Sequence, residues 1–133
     1  MKLIVITTDS FFQDEAKAIN TLFKEGLRVL HLRKPHSKQE ELSLLLEQIK
    51  TQYLNRIVLH DHFELVNKYQ LKGYHLNQRN NNPKEKHTDQ TISRSCHRFE
   101  ELQENDAYDY LFLSPIFNSL SKPGYKKTFT EEE

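Results

Sequence analysis

Two kinds of apolar pattern alternate along the chain. A short continuous apolar run stands at 3–6, and largely apolar ones at 27–32, 56–60, 74–76 and 110–113. Between them, apolar residues return every three or four positions. A continuous apolar run bounded by turn residues suits a strand buried on both faces, and the wider spacing suits an amphipathic helix. Residues 3–6 therefore predict a buried first strand. Ala16, Ile19, Leu22 and Phe23 predict a helix, with Gly26 as its C-terminal cap. Residues 27–32 predict a second strand. Ser37 and Glu40 then form an expected capping box, and Leu42, Leu45, Leu46, Ile49 and Tyr53 line one face of a continuing helix. Residues 56–60 predict a third strand. Asp61 as N-cap and Glu64 at N3 open a helix that runs through Tyr69. Gly73 introduces a fourth strand, and 77–90 is an asparagine-rich polar loop. Residues 91–95 predict a fifth strand. Phe99 and Leu102 mark a short helix whose first turn holds Glu100 and Glu101, where the helix dipole favours acids. Residues 110–113 predict a sixth strand.

Strands and helices thus alternate roughly every 20 to 25 residues, the rhythm of β-α-β units on a parallel sheet. Two α/β architectures fit: an open doubly wound sheet, or part of a (β/α)8 barrel. No Gly-x-Gly-x-x-Gly follows any strand, and the chain has 3 glycines, which argues against a dinucleotide site. A length of 133 residues suits one domain. Lys+Arg and Asp+Glu number 19 each, so no basic field steers nucleic acid or an anionic membrane. No apolar run approaches the roughly 18 residues of a membrane span, and the first one is too short for a signal sequence. The single cysteine, Cys96, excludes an internal disulfide, and a cytoplasmic location is expected.

In parallel α/β folds the site lies at the carboxyl ends of the strands. There the sequence places His31, Arg33 and Lys34 after the second strand and His60, Asp61 and His62 after the third. His75, Asn77, Gln78 and Asn80 follow the fourth, Ser95, Cys96 and His97 the fifth, and Ser114, Ser119, Ser121 and Lys122 the sixth. Strand starts carry ordinary residues such as Lys2, Arg28 and Arg56. Arg33 can pair with a surface acid or hold a phosphate or diphosphate in its planar fork. Asp61 can be an N-cap or a Mg2+ ligand, and the two readings stand even. A zinc set of His31, His60, His75 and His97 lacks any recognised zinc spacing. Cys96 beside His97 makes a poor nucleophile pair, because adjacent strand residues point apart. Ser119, Ser121 and Lys122 offer several donors to a phosphoryl group, or form a solvated turn before Pro123-Gly124.

Together these strand-end motifs resemble the thiamine phosphate synthase / TenI superfamily, a (β/α)8 barrel family. The family pattern Gln-Leu-Arg-Glu-Lys stands here as His31-Leu32-Arg33-Lys34-Pro35, and Ile-Asn-Asp as Leu59-His60-Asp61. Gly-Val-His-Leu-Gly-Gln-(Glu/Asp)-Asp stands as Gly73-Tyr74-His75-Leu76-Asn77-Gln78-Arg79-Asn80. Ser-x-His is kept as Ser95-Cys96-His97, and Gly-Pro-Ile-Phe-x-Thr-x-Thr-Lys appears as residues 114–122 with serines for the threonines.

The resemblance implies transfer of a pyrimidine diphosphate to a thiazole phosphate, with release of pyrophosphate and Mg2+ as cofactor. Catalysis would then be positioning and electrostatics. Carried over by motif, His97, Ser95 and Lys122 are the catalytic candidates. His31, Arg33, His60, Ser95, Ser119, Ser121 and Lys122 are the substrate-binding ones. Asp61 and Asn80 are the metal pair, although Asn80 replaces an aspartate. Arg94-Ser95-Cys96-His97 is also similar to the Arg-Ser-Val-His of the TenI branch, which implies a thiazole tautomerase or a non-catalytic ligand binder as the alternative. Small-molecule substrates are the implied partners, with no nucleic acid and no membrane, and a homo-oligomer stays open.

The single domain, 1–133, holds about six β/α units against the eight of a full barrel. The expectation is a truncated barrel lacking strands seven and eight. Thr130 and Glu133 read as a capping box at the start of a sixth helix.

Overall fold

Alternation along each strand decides which side chains fill which face of the sheet. The computed structural model of the chain describes residues 3–81, 89–97 and 108–113. Six strands pair in sequence order, all parallel. They are β1 (Ile4–Ile6), β2 (Val29–Leu32), β3 (Ile57–Leu59), β4 (Gly73–Leu76), β5 (Thr91–Cys96) and β6 (Tyr110–Leu113). Helices α1 (Glu15–Lys24), α2 (Gln39–Glu47) and α3 (Glu64–Lys68), with a 3-10 helix (Thr51–Arg56), fill the first three crossovers. The segment around Phe99 and Leu102, the loop with Ser119, Ser121 and Lys122, and Thr130 to Glu133 lie outside the described residues.

The sheet is curled. β2 and β6 are four strands apart, which on a flat sheet is about 19 Å. Yet the His31 Nε2 atom lies 2.7 Å from the Tyr110 hydroxyl. Only strong curvature brings them together, so the six units form part of a barrel.

The two faces of that curve differ chemically. Leu30, Leu32, Ile57, Leu59, Tyr74, Leu76 and Ile92 share one apolar core with Ile19, Phe23, Leu42, Leu46, Leu65 and Val66 of the helices. Fully burying each large aliphatic side chain is worth about 1.5–3 kcal/mol. The other set, which includes His31, Val58, His75, Ser93, Ser95, Tyr110 and Phe112, turns to the inside of the curve. β4 and β5 lie so close that a Cβ on Gly73 would stand 2.0 Å from the Thr91 carbonyl oxygen. Glycine is required there by space. At Gly26 (φ 109) it is required by backbone conformation, and the helix closes through Leu27 N–H donating to Leu22 O at 3.0 Å.

Four local expectations are corrected. β1 is not buried on both faces: Leu3 and Ile6 are exposed, because β1 pairs with β2 alone among the described residues. The helix through Tyr53 is two elements. Asn20 of α1 donates to Gln48 O (3.1 Å) and accepts from Lys50 N–H (2.9 Å), so those backbone groups leave the helical ladder. The expected box of Ser37 and Glu40 sits one residue later: Glu41 accepts from Lys38 N–H at 2.8 Å, while the Ser37 hydroxyl donates to Lys34 O. Asp61 does not cap α3; its carboxylate turns towards Lys34, Arg79 and Asn80 instead.

Candidate functional site

The inside of the curve holds polar side chains where barrels are usually filled by branched aliphatic ones. His31 and His75 are fully buried and His60 nearly so. The His31 Nδ1 atom lies 2.8 Å from His60 Nε2. With the Tyr110 hydroxyl on its other nitrogen, His31 sits in the middle of a three-membered hydrogen-bonded chain. A neutral imidazole has one donor and one acceptor nitrogen, so this chain is directional. It runs either from Tyr110 to His60 or back, and the links switch together. His75 bonds Ser93 Oγ at 2.8 Å and Ser95 Oγ at 2.7 Å. Phe112 packs against both His31 and His75, with ring centroids 4.7 and 4.6 Å away.

These imidazoles are neutral. Burial, and then the neighbouring His75, lowers His31 to about 3. Burial, and then Arg79, lowers His75 to about 4. Burial and the surrounding His75, His31, Arg33 and Arg79 push His60 down as well. Burial pushes the Tyr110 phenol up, so it keeps its proton.

Nitrogen atoms of His31, His60 and His75 lie within 4.8 Å of one another, close enough to suggest a metal. The geometry argues otherwise. The His60 and His75 rings are stacked, with centroids 4.2 Å apart and planes 21° apart. Lone pairs lie in the ring plane, and near-parallel stacked rings cannot aim theirs at one ion. Both His75 nitrogens are also committed to serines. The cluster is a hydrogen-bonded network.

Above it, at the carboxyl ends of the strands, opens a cavity of about 640 Å³. Arg33, His60, Arg79, Ser95, His97 and Phe112 line it. Of the expected site residues, the substrate-binding candidates Arg33, His60 and Ser95 therefore meet the catalytic candidate His97 in one place. His31 lies beneath, and it touches His60 rather than the cavity. Ser119, Ser121 and Lys122 lie outside the described residues. Arg33 also pairs with the exposed Asp9.

Beside the cavity stands Asp61, buried, with a ring of nitrogens around it. Its oxygens accept from Lys34 N–H (3.2 Å), Arg79 Nε (3.1 Å), Arg79 Nη2 (3.4 Å) and Asn80 Nδ2 (3.2 Å). Asn80 Nδ2 also donates to His60 O at 2.9 Å, so two acceptors fix which end of that amide faces Asp61. Asn77 pins the turn. Its side-chain oxygen accepts from Arg79 and Asn80 N–H, and its nitrogen donates to His60 and His75 O.

Lys34 is not part of the cavity. Its ammonium is fully buried, 2.7 Å from Glu15, and donates to Thr8 O and Ser10 O. It ties the loop after β1 to the end of β2.

The model of the family described as thiamine monophosphate synthase matches residues 3–132. The chain belongs to that family. A crystal structure of a thiamine phosphate pyrophosphorylase from Bacteroides thetaiotaomicron superposes with a TM-score of 0.84 at 43% identity, covering 100% of this chain and 63% of that one. A thiamine-phosphate synthase of Caldicellulosiruptor saccharolyticus is 24% identical over 115 residues, which are 80% of this chain and 52% of the relative. The chain therefore spans about half to just under two thirds of the relatives it matches. The expected α/β barrel type and family both hold.

The family's Mg2+ does not fit the residues present. Mg2+ takes oxygen ligands in near-octahedral geometry. Here Asn80 presents an N–H to the place of a ligand oxygen, and four N–H donors occupy Asp61. Tyr110 and Ser93 lie within strands rather than at their ends, and the inward alternation of Ser93 with Ser95 and of Tyr110 with Phe112 is the pattern that places them; for Arg79 the pattern is a basic residue where the family motif has an acid.

Proposed function

We propose that this chain carries the substrate-binding mouth of a thiamine-phosphate-synthase-type transferase, joining hydroxymethylpyrimidine diphosphate to thiazole phosphate and releasing pyrophosphate. The observation that carries this reading is the cavity at the strand ends, where the Arg33 guanidinium, the Ser95 hydroxyl and the His60 and His97 imidazoles converge. In the reaction, the bond from the pyrimidine's methylene carbon to the diphosphate oxygen breaks. Its electron pair leaves with pyrophosphate, and the thiazole nitrogen supplies the pair for the new carbon–nitrogen bond. Such chemistry asks for positioning and for stabilisation of the leaving anion. Arg33 suits the anion, because its planar fork matches phosphate oxygens. Ser119, Ser121 and Lys122 would add donors to the same diphosphate. Ser95 and His97 would flank the reacting centre. No step here runs through Mg2+, because the Asp61 oxygens are taken by four N–H donors and Asn80 turns its N–H, not its oxygen, towards them. Small-molecule partners and a cytoplasmic location go with this reading, as does a homo-oligomer if one forms. Among the described residues no helix is long and apolar enough to cross a membrane.

The test is to incubate the complete gene product with both substrates and follow thiamine phosphate by conversion to fluorescent thiochrome. Absence of product rejects the transferase. A second reading, a TenI-like thiazole tautomerase, is favoured by the engagement of Asp61 with Arg79. For that reading, isomerisation of thiazole carboxylate phosphate should proceed with chelator present and vanish in His97→Ala; activity retained in the variant rejects the role of His97.

A further inference from the structure

We propose that Arg79 takes the place of a divalent cation in this site, so that the phosphate-bearing ligand is held by a guanidinium built into the chain and binds without metal. The inference rests on the anion-binding reading of the cavity given above and adds what supplies the charge.

Three observations carry it. First, the carboxylate that would anchor a cation already has one. Arg79 meets Asp61 side-on through Nε and Nη2, at 3.1 and 3.4 Å. A guanidinium has five N–H donors. This contact uses two, and three stay available on a side chain that lines the cavity. Second, the placement is built. The turn that carries Arg79 is bonded through Asn77 to the carbonyls of His60 and His75, at the ends of β3 and β4. Asp61 is itself held by Lys34 N–H, which donates to its Oδ2. Third, the charges agree. One carboxylate, a neutral Asn80 and one guanidinium sum to zero, and a divalent ion added there would face Arg79 at close range with a single carboxylate to offset it. Arg33 lines the same cavity, so two guanidinium forks face one space. Paired forks suit an anion with several phosphoryl oxygens.

Inorganic pyrophosphate is the probe. The full chain is titrated calorimetrically at pH 7.5, once with EDTA and once with Mg2+. The expected result is binding in EDTA with a Kd within about threefold of that in Mg2+, and a loss of about ten- to a hundredfold in Arg79→Gln, the usual range for a charge-assisted hydrogen bond. Arg79→Lys keeps the charge without the fork and should fall between. Binding that requires Mg2+ overturns the proposal and leaves the anion site standing. Unchanged binding in Arg79→Gln in EDTA also overturns it, reducing Arg79 to a structural partner of Asp61. No binding in either buffer rejects the anion site itself, and this proposal with it. The EDTA and Mg2+ arms need no variant, so they decide the question even if Arg79→Gln does not fold.

Discussion

Acidification from pH 7 to pH 5 should weaken the fold through the buried imidazoles, and the size of the effect follows from their surroundings. His31 is lowered to about 3 and His75 to about 4, against an ordinary value near 6.5. Between those limits the unfolded chain binds protons that the folded chain refuses. Stability is therefore fully present above pH 6.5 and is lost as the pH falls below it, down towards 4 and 3. At pH 5 the unfolded state gains about 1.5 pH units of protonation at each residue, or about 2 kcal/mol each and about 4 kcal/mol for the two. His60, lowered as well, adds in the same direction. A domain of this size is stable by about 5–15 kcal/mol, so the loss is a large share. Urea unfolding at pH 7, 6 and 5 measures it, with His75→Asn as the comparison. The variant should lose about half of the slope expected from the two, whatever its absolute stability. A change under about 1 kcal/mol in the parent, or an NMR titration of His31 or His75 near 6.5, refutes the neutral network.

Other perturbations test the supports of the site. Lys34→Met leaves Glu15 buried without its cation and should cost about 3–5 kcal/mol in urea unfolding; a cost below about 1 kcal/mol would show the pair to be dispensable. Gly73→Ala forces a methyl group against the Thr91 carbonyl and should cost about 3 kcal/mol as β4 and β5 separate. A neutral result at Gly73 would mean that β4 and β5 leave room for a methyl group at that position.

Much of the fold was legible because it depends on period alone. The apolar runs predicted five of the six strands, the polar segment 91–95 was the weak one, and the spacing predicted parallel β-α-β units. What failed were local decisions settled by distant residues. The second helix reads as continuous from Leu42 to Tyr53, yet Asn20, far away in sequence, claims the backbone at Gln48 and Lys50. Asp61 has the spacing of an N-cap, and only the fold reveals that Arg79 waits across from it. The site was legible to the extent that it stands at strand ends: Arg33, His60, Ser95 and His97 do meet. Arg79 did carry a signal, a basic residue at a position where the family motif has an acid, but position alone does not say that it turns to Asp61. His31 holds a ligand-binding position of the family motif. Its depth in the curve, which no local pattern encodes, gives it the task of holding His60.

The interior network also bears on how such a sequence can drift. Tyr110, His31 and His60 share one directional chain, and Ser93, His75 and Ser95 form a second chain stacked on it. A change at one of these positions strands a polar atom at another. Tolerated replacements should come in sets, with a hydroxyl lost at 93 or 95 matched by a different residue at 75. Among relatives, these six positions should vary together or not at all, while Ile57, Leu59 and their neighbours on the outer face exchange freely for other apolar residues of similar volume.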